Sequence, residues 1–301
     1  MFAGFGLSGT AALIYEVVWT RSLSTIMGST TYALSTMLAA FMTGLSFGGL
    51  IGGRLSDRLK RPEYAFALCE LGIGLTGLIT IPLIKALTPV YIKAFYQYHL
   101  SFNAFSIVQF SIIFLIMGIP TTLMGIAFPI VIKYFTTDAK SAGRQSGYLY
   151  FINTFGAIIG SITAGFLLIP VIGISGAAYT AASLNLLTAI VVLAFSGQKK
   201  KLFAVSLLIP VFFGISAFLE EPDIPIFSYY SAFRFDSYRD VMDKINEIKQ
   251  SGENIFVYSH EGVEGNVYLT KYLTLINNGK WEAGDERSFS LLACLPYLSY
   301  S

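Results

Sequence analysis

Apolar residues arrive in long blocks separated by short polar breaks, and the blocks match the length of a bilayer-spanning helix. A hydrocarbon core of about 30 Å takes about 20 apolar residues per helix, because backbone polar groups have no partners in lipid. Seven stretches meet that length: 2–27, 31–53, 64–84, 104–132, 146–172, 176–196 and 202–219. The first does not fit a cleaved leader, since it is long, lacks a basic start and carries Glu16 and Arg21 within it. Within the blocks, Gly44, Gly48, Gly49, Gly52 and Gly53, and then Gly156, Gly160 and Gly165, fall at spacings that let helix backbones approach. Pro120, Pro129 and Pro170 are expected to kink or end their helices.

After residue 219 the pattern changes. Ser237 is positioned to cap a helix over 238–250, with Val241, Ile245 and Ile248 on one face and Gly252 as the stop. Alternation predicts strands near 254–259, 266–272 and 273–277, followed by a turn at Asn278-Gly279. A second helix is expected from Asp285 into Leu291, Leu292 and Leu295. The expected architecture is therefore an α-helical integral membrane bundle of about seven transmembrane helices (1–219) with a small C-terminal α+β domain (220–301).

Composition agrees with this division. Hydrophobic residues make up 54% and charged residues 13% of the 301, with a mean hydropathy of +0.63; soluble domains carry about 25% charged residues. The formal net charge of +2 conceals a membrane region of net +8 and a tail of net −6. That pattern gives nucleic-acid binding no footing. Cys69 and Cys294 are too few and too far apart for a disulfide framework or a zinc site. Arg54, Arg58, Lys60 and Arg61, then Lys133, Lys140 and Arg144, then Lys199, Lys200 and Lys201 form three basic connections. The opposite loop, 85–103, holds only Lys85 and Lys93. The positive-inside rule then places the N-terminus in the cytoplasm of a multi-pass plasma-membrane protein. Seven spans put the tail outside; six, with 202–219 not crossing, put it in the cytoplasm.

Charges inside the blocks are the candidate site. An ionisable residue in a span costs about 2.5–3.5 kcal/mol on insertion scales, so function is the first explanation to test. Glu16, Trp19 and Arg21 lie together in Tyr15-Glu16-Val-Val-Trp19-Thr-Arg21, and Glu70 stands in the third span. A structural ion pair that locks the first span to its neighbours is the competing account. Gly4-Phe-Gly6-Leu-Ser-Gly9 and Gly72-Ile-Gly74-Leu-Thr-Gly77 match a dinucleotide-binding pattern, but inside spans they read as helix-packing glycines. His99 and His260 are isolated, and the membrane serines, Ser8 included, have no triad partners.

Gly53-Arg-Leu-Ser-Asp57-Arg58-Leu-Lys60-Arg61 resembles the loop between spans two and three of major facilitator transporters, with Lys60 where Gly is usual. Four further blocks resemble the membrane-fused spermidine synthase-like proteins, the membrane-bound polyamine aminopropyltransferases. They are Leu7-Ser8-Gly9 with Tyr15-Glu16-Val-Val-Trp19-Thr-Arg21; Pro120-Thr-Thr-Leu-Met-Gly125-Ile-Ala-Phe-Pro129; Gly147-Tyr-Leu-Tyr150-Phe-Ile-Asn153-Thr-Phe-Gly156-Ala; and Gly165-Phe-Leu-Leu-Ile-Pro170. In the tail, Leu275-Ile-Asn-Asn-Gly279-Lys-Trp-Glu282 is similar to the family's Leu-x-Leu-Asp/Asn-Gly-x-x-Gln hairpin, with Glu282 where a substrate-binding Gln is expected. Ser288, Phe289 and Cys294 stand where the family's active-site helix has Tyr, His and His. The resemblance implies a following Rossmann-like domain holding decarboxylated S-adenosylmethionine and a catalytic Asp. No strand–Gly-loop–helix unit is legible in these residues.

Three functions compete on this reading. The first is the membrane component of an aminopropyltransferase system, without catalysis or cofactor of its own, its catalytic domain lost, truncated or supplied by a separate Rossmann-like chain. The second is a cation transporter of major-facilitator-like architecture, completed by a second copy, with Glu16 and Glu70 as its acids. The third is a structural membrane protein whose tail binds a protein partner.

Overall fold

The computed structural model describes residues 1–27, 31–97, 102–136 and 142–196, and, in the tail, Asp243 and the strand residues 256–261, 266–270, 275–277 and 280–283. The membrane region is helical: α1 (Phe2–Met27), α2 (Thr31–Ser56), α3 (Pro62–Gln97), α4 (Phe102–Phe135), α5 (Ala142–Thr163), a single π-helical turn (Ala164–Leu168) and α6 (Ile169–Phe195). Five helical runs are long and apolar enough to cross a membrane: Phe2–Ser24, Thr31–Ser56, Pro62–Ile84, Asn103–Phe135 and Ala142–Phe195. The expected seventh stretch, 202–219, lies outside the described residues, as do the tail helices expected at 238–250 (apart from helical Asp243) and beyond Asp285.

The fifth run is 54 residues long, and it doubles back. Gly6 faces Ile152, and Gly156 faces Gly6 and Thr10, while Gly4 meets Thr188 and Val192. On a straight helix, residues 156 and 188 would stand about 48 Å apart, so one short stretch of α1 could not touch both. The reversal falls at Gly173, whose backbone (φ 74°, ψ 175°) departs from the helix. Only glycine populates that region freely. The sequence expectation of two spans, 146–172 and 176–196, is the same break read from composition. Gly173→Ala should lower stability by about 1–3 kcal/mol. Gly165→Ala, where an added Cβ meets nothing within 4 Å, should not. Thermal unfolding of the two variants in detergent checks this.

Of the prolines expected to kink or end their helices, Pro120 and Pro129 do not end theirs, and Pro170 stands at a break. α4 passes through Pro120 and Pro129, and α3 through Pro82 and Pro89. Pro170 is the second residue of α6, which follows directly on the π-turn. A proline removes a ladder donor and crowds the carbonyl four residues back, and a π-turn relaxes that crowding. The expected loop at 85–103 is corrected too, because α3 continues as helix to Gln97.

Two close helix contacts organise the bundle, and small residues make both. Gly44, Gly48 and Gly52 of α2 lie against Thr121, Thr122, Gly125 and Ile126 of α4, advancing in the same direction. Gly6, Gly9 and Thr10 of α1 lie against Ile152, Asn153, Gly156 and Gly160 of α5, also in parallel. In lipid there is no hydrophobic drive between helices, so backbone-to-backbone van der Waals contact carries association. Gly49, Gly53 and Gly165 face open space and take no part, contrary to their grouping by spacing. Leu38, Met42, Phe47 and Leu50 of α2 are exposed, as are Phe151, Phe155 and Phe166 beyond α5's contact face. Such outward apolar faces are compatible with a bilayer. The core between helices holds Trp19, Tyr15, Phe66, Ile73, Ile113 and Met117.

In the tail, β1 (Phe256–Glu261), β2 (Asn266–Thr270), β3 (Leu275–Asn277) and β4 (Lys280–Ala283) form one antiparallel sheet in chain order. Leu269 pairs with Leu275 and Val267 with Asn277. Asn277 pairs with Lys280, which brackets the expected two-residue turn at Asn278-Gly279. β4 was not anticipated as a strand.

Candidate functional site

One polar cluster is buried where α1, α3 and α6 meet. On α1, Ser8, Tyr15 and Trp19 share a face, being seven and eleven residues apart at about 100° per residue. That face follows α3 in parallel, with Ser8 at Glu70, Tyr15 at Gly77 and Trp19 at Thr80. α6 runs the other way, so that Asn185 faces Glu70 while Ala182 and Asn185 face Gly74.

Glu70 is fully buried, at 0% exposure. The Ser8 hydroxyl donates to its Oε1 at 2.6 Å, and the Asn185 carboxamide donates from Nδ2 to its Oε2 at 2.7 Å. These are short contacts across three helices. Among the described residues Glu70 has no ion-pair partner. On the two helices that reach it, Asn185 Oδ1, Thr188 Oγ1 and the Tyr15 hydroxyl are buried without a hydrogen-bond partner among the described residues. Two to three turns along the face from Ser8, Trp19 stacks on Tyr15 with ring centroids 5.2 Å apart. Its indole N–H donates to Thr80 Oγ1 at 2.8 Å, and Thr80 in turn donates to the Gly77 carbonyl at 2.6 Å. Gly77 is required here: a Cβ would overlap the Tyr15 ring.

The structure therefore brings Trp19 and Glu70 onto one α1–α3 seam and leaves Glu16 aside. Glu16 is half-buried and about 60° around the helix from Trp19, with no partner among the described residues. Arg21 is half-buried nearer the end of α1, its carbonyl accepting from Ser24 Oγ at 3.0 Å. Glu282 lies in β4, far along the chain in the tail. Ser8 and Asn185 were missed by sequence reasoning. Ser8 has no triad partners in sequence, and its role as a hydrogen-bond donor depends on a contact 62 positions away. Asn185 carried a usable signal, because it is the one amide or charged side chain in α6.

The two glycine-rich runs lie inside α1 and α3, where all their backbone N–H groups except that of Gly4, in the first turn of α1, fall within the i→i−4 ladder. Among the described residues neither has the strand–loop–helix setting that cradles a nucleotide-type cofactor. No cluster of His, Cys, Asp and Glu suited to a metal ion occurs among the described residues.

Comparison with known proteins gives one distant likeness. The chain is 23% identical over 188 residues to a polyamine aminopropyltransferase of Oceanobacillus iheyensis, which covers 62% of this chain and 34% of that protein. It thus spans about a third of the length of the curated relative it matches. No family model matches, and no solved structure matches. Together with five long apolar helical runs, this supports a membrane-compatible helical protein distantly related to that enzyme.

Proposed function

We propose that this chain is the membrane component of a spermidine synthase-like aminopropyltransferase system, and that its tail is a small α+β unit leading towards a cofactor-using domain. The single observation that carries the reading is the 188-residue likeness to a polyamine aminopropyltransferase. Packing gives it physical content. Leu7-Ser8-Gly9 and Asn153-Thr-Phe-Gly156 meet in the α1–α5 contact, and the Pro120–Pro129 block supplies Thr121, Thr122 and Gly125 to the α2–α4 contact. Three of the four blocks that suggest the family thus contribute residues to the close helix contacts, which gives the likeness a packing role in this chain.

In this reading the basic connections face the cytoplasm, and the limbs before and after Gly173 cross separately. The chain then reaches Lys199–Lys201 on the cytoplasmic side after six crossings, in agreement with the positive-inside rule. The partner is a Rossmann-like catalytic unit, in cis or as a separate chain. The test is aminopropyl transfer from decarboxylated S-adenosylmethionine to a panel of diamines, by material captured through this protein from its native membranes. Transfer that is lost on depleting the protein supports the reading; captured, intact protein with no transfer to any diamine contradicts it.

A second reading has one observation in its favour. A buried carboxylate held by neutral donors between three helices is the kind of group that cation transporters place in their spans. In this alternative the helices form a major-facilitator-like half that a second copy completes. Cation uptake by proteoliposomes, compared between the wild type and Glu70→Gln, distinguishes it.

A further inference from the structure

We infer that the Ser8–Glu70–Asn185 cluster is a seat for a small monovalent cation, either an alkali ion or a primary ammonium. The inference goes beyond the aminopropyltransferase reading, and the failure of that reading would leave it standing.

Glu70 offers two carboxylate oxygens with room for about four donors. It receives two, from Ser8 and Asn185, and both donors are neutral. An ionised carboxylate buried without an opposite charge is costly, and hydrogen bonds from neutral groups offset only part of that.

The second observation is independent of the carboxylate. Asn185 is 1% exposed and its Oδ1 has no donor; Thr188, one turn further along α6, is 0% exposed and its hydroxyl has no partner. The hydroxyl of Tyr15, on the facing side of α1, is likewise buried and unpaired. Native interiors leave few polar atoms unpaired, and each asks for an explanation. Here three of them lie on the two helices that grip one carboxylate.

Asn185 links the two observations. Its carboxamide presents Nδ2 to Glu70 Oε2. A half-turn of the amide exchanges its two ends and brings the unpaired Oδ1 opposite Oε2. Two acceptor oxygens facing each other need positive charge between them. With Ser8 Oγ beside Oε1, that makes an all-oxygen set, which suits hard cations. A single carboxylate supplies one negative charge, which matches a monovalent ion. Of the titratable groups on the packed helices, Tyr15 of α1 and Cys69 of α3 are the ones that feel the Glu70 charge; both are neutral as ordinary side chains, while Glu16 and Arg21 of α1 lie off the Ser8–Tyr15–Trp19 face.

The test uses the whole chain, purified in N-methyl-D-glucamine chloride and titrated at constant ionic strength and pH with NaCl, KCl or methylammonium chloride. The readouts are the melting temperature and Trp19 fluorescence, the latter in a Trp281→Phe background. A saturable rise of roughly 5 °C is expected with at least one of these cations. It should be lost in Glu70→Gln and in Asn185→Leu, and weakened about tenfold in apparent affinity in Ser8→Ala. A response to Na⁺ or K⁺ assigns an alkali-ion seat, and a response to methylammonium alone assigns an ammonium seat. No cation response in the wild type overturns the inference, whether or not any variant folds. So does an undiminished response in Glu70→Gln, or a stability that follows pH alone.

Discussion

Gly48→Val should lower the stability of the helical bundle by at least about 3 kcal/mol, seen as a fall of about 6–12 °C in melting temperature and a poor yield of monodisperse protein after extraction. At Gly48 a Cβ would fall on the carbonyl oxygen of Thr122 and lie 2.8 Å from Cα of Gly125. Both obstacles are backbone, so no side-chain rotation relieves them, and α2 must move away from α4. Lost contact is not recovered in lipid, where a separated apolar face gains nothing from water exclusion. Gly49→Val is the control, since a Cβ there meets nothing within 4 Å. Its effect should stay within the small helix-propensity difference. Equal losses at the two positions would show that α2 does not meet α4 by this face.

The second large effect concerns Glu70. Asn185→Leu keeps similar bulk but removes the donor at 2.7 Å from Oε2. The loss should be about 2 kcal/mol, as for hydrogen bonds to charged groups. In a Glu70→Leu background the same substitution should cost far less, because no carboxylate is left to satisfy. A double-mutant cycle of detergent unfolding should return a coupling of about 1–3 kcal/mol. Additive effects would mean that the two residues do not act on one another.

Much of the helical plan was legible because lipid imposes one simple demand, continuous apolar length, and the expected starts at 2 and 31 coincide with α1 and α2. The glycine faces were only half legible. Spacing marks Gly44, Gly48 and Gly52 as one stripe, but it cannot say that Gly49 and Gly53 look away from any neighbour. Prolines were half legible for a related reason: α4 continues through Pro120 and Pro129, whereas Pro170 stands at a break. In the site, charge drew attention to Glu16 and Glu70 alike, and only tertiary contact separates them. Glu70 is held by residues 62 and 115 positions away in sequence, a relation that no local pattern carries. The paired edges of the tail sheet followed from alternation and the Asn-Gly signal, whereas β4 was hidden in a motif read for binding.

The proposal that this chain serves a cytosolic aminopropyltransferase depends most directly on where the tail lies. With Cys69 and Cys294 replaced and a single reporter cysteine at Ser251, intact right-side-out cells are treated with a membrane-impermeant thiol reagent, before and after permeabilisation. The account predicts labelling only after permeabilisation, with the tail in the cytoplasm beside the basic residues Lys199–Lys201. Labelling of intact cells would put the tail outside, contradict service to a cytosolic cofactor, and move the function towards transport or extracytoplasmic binding.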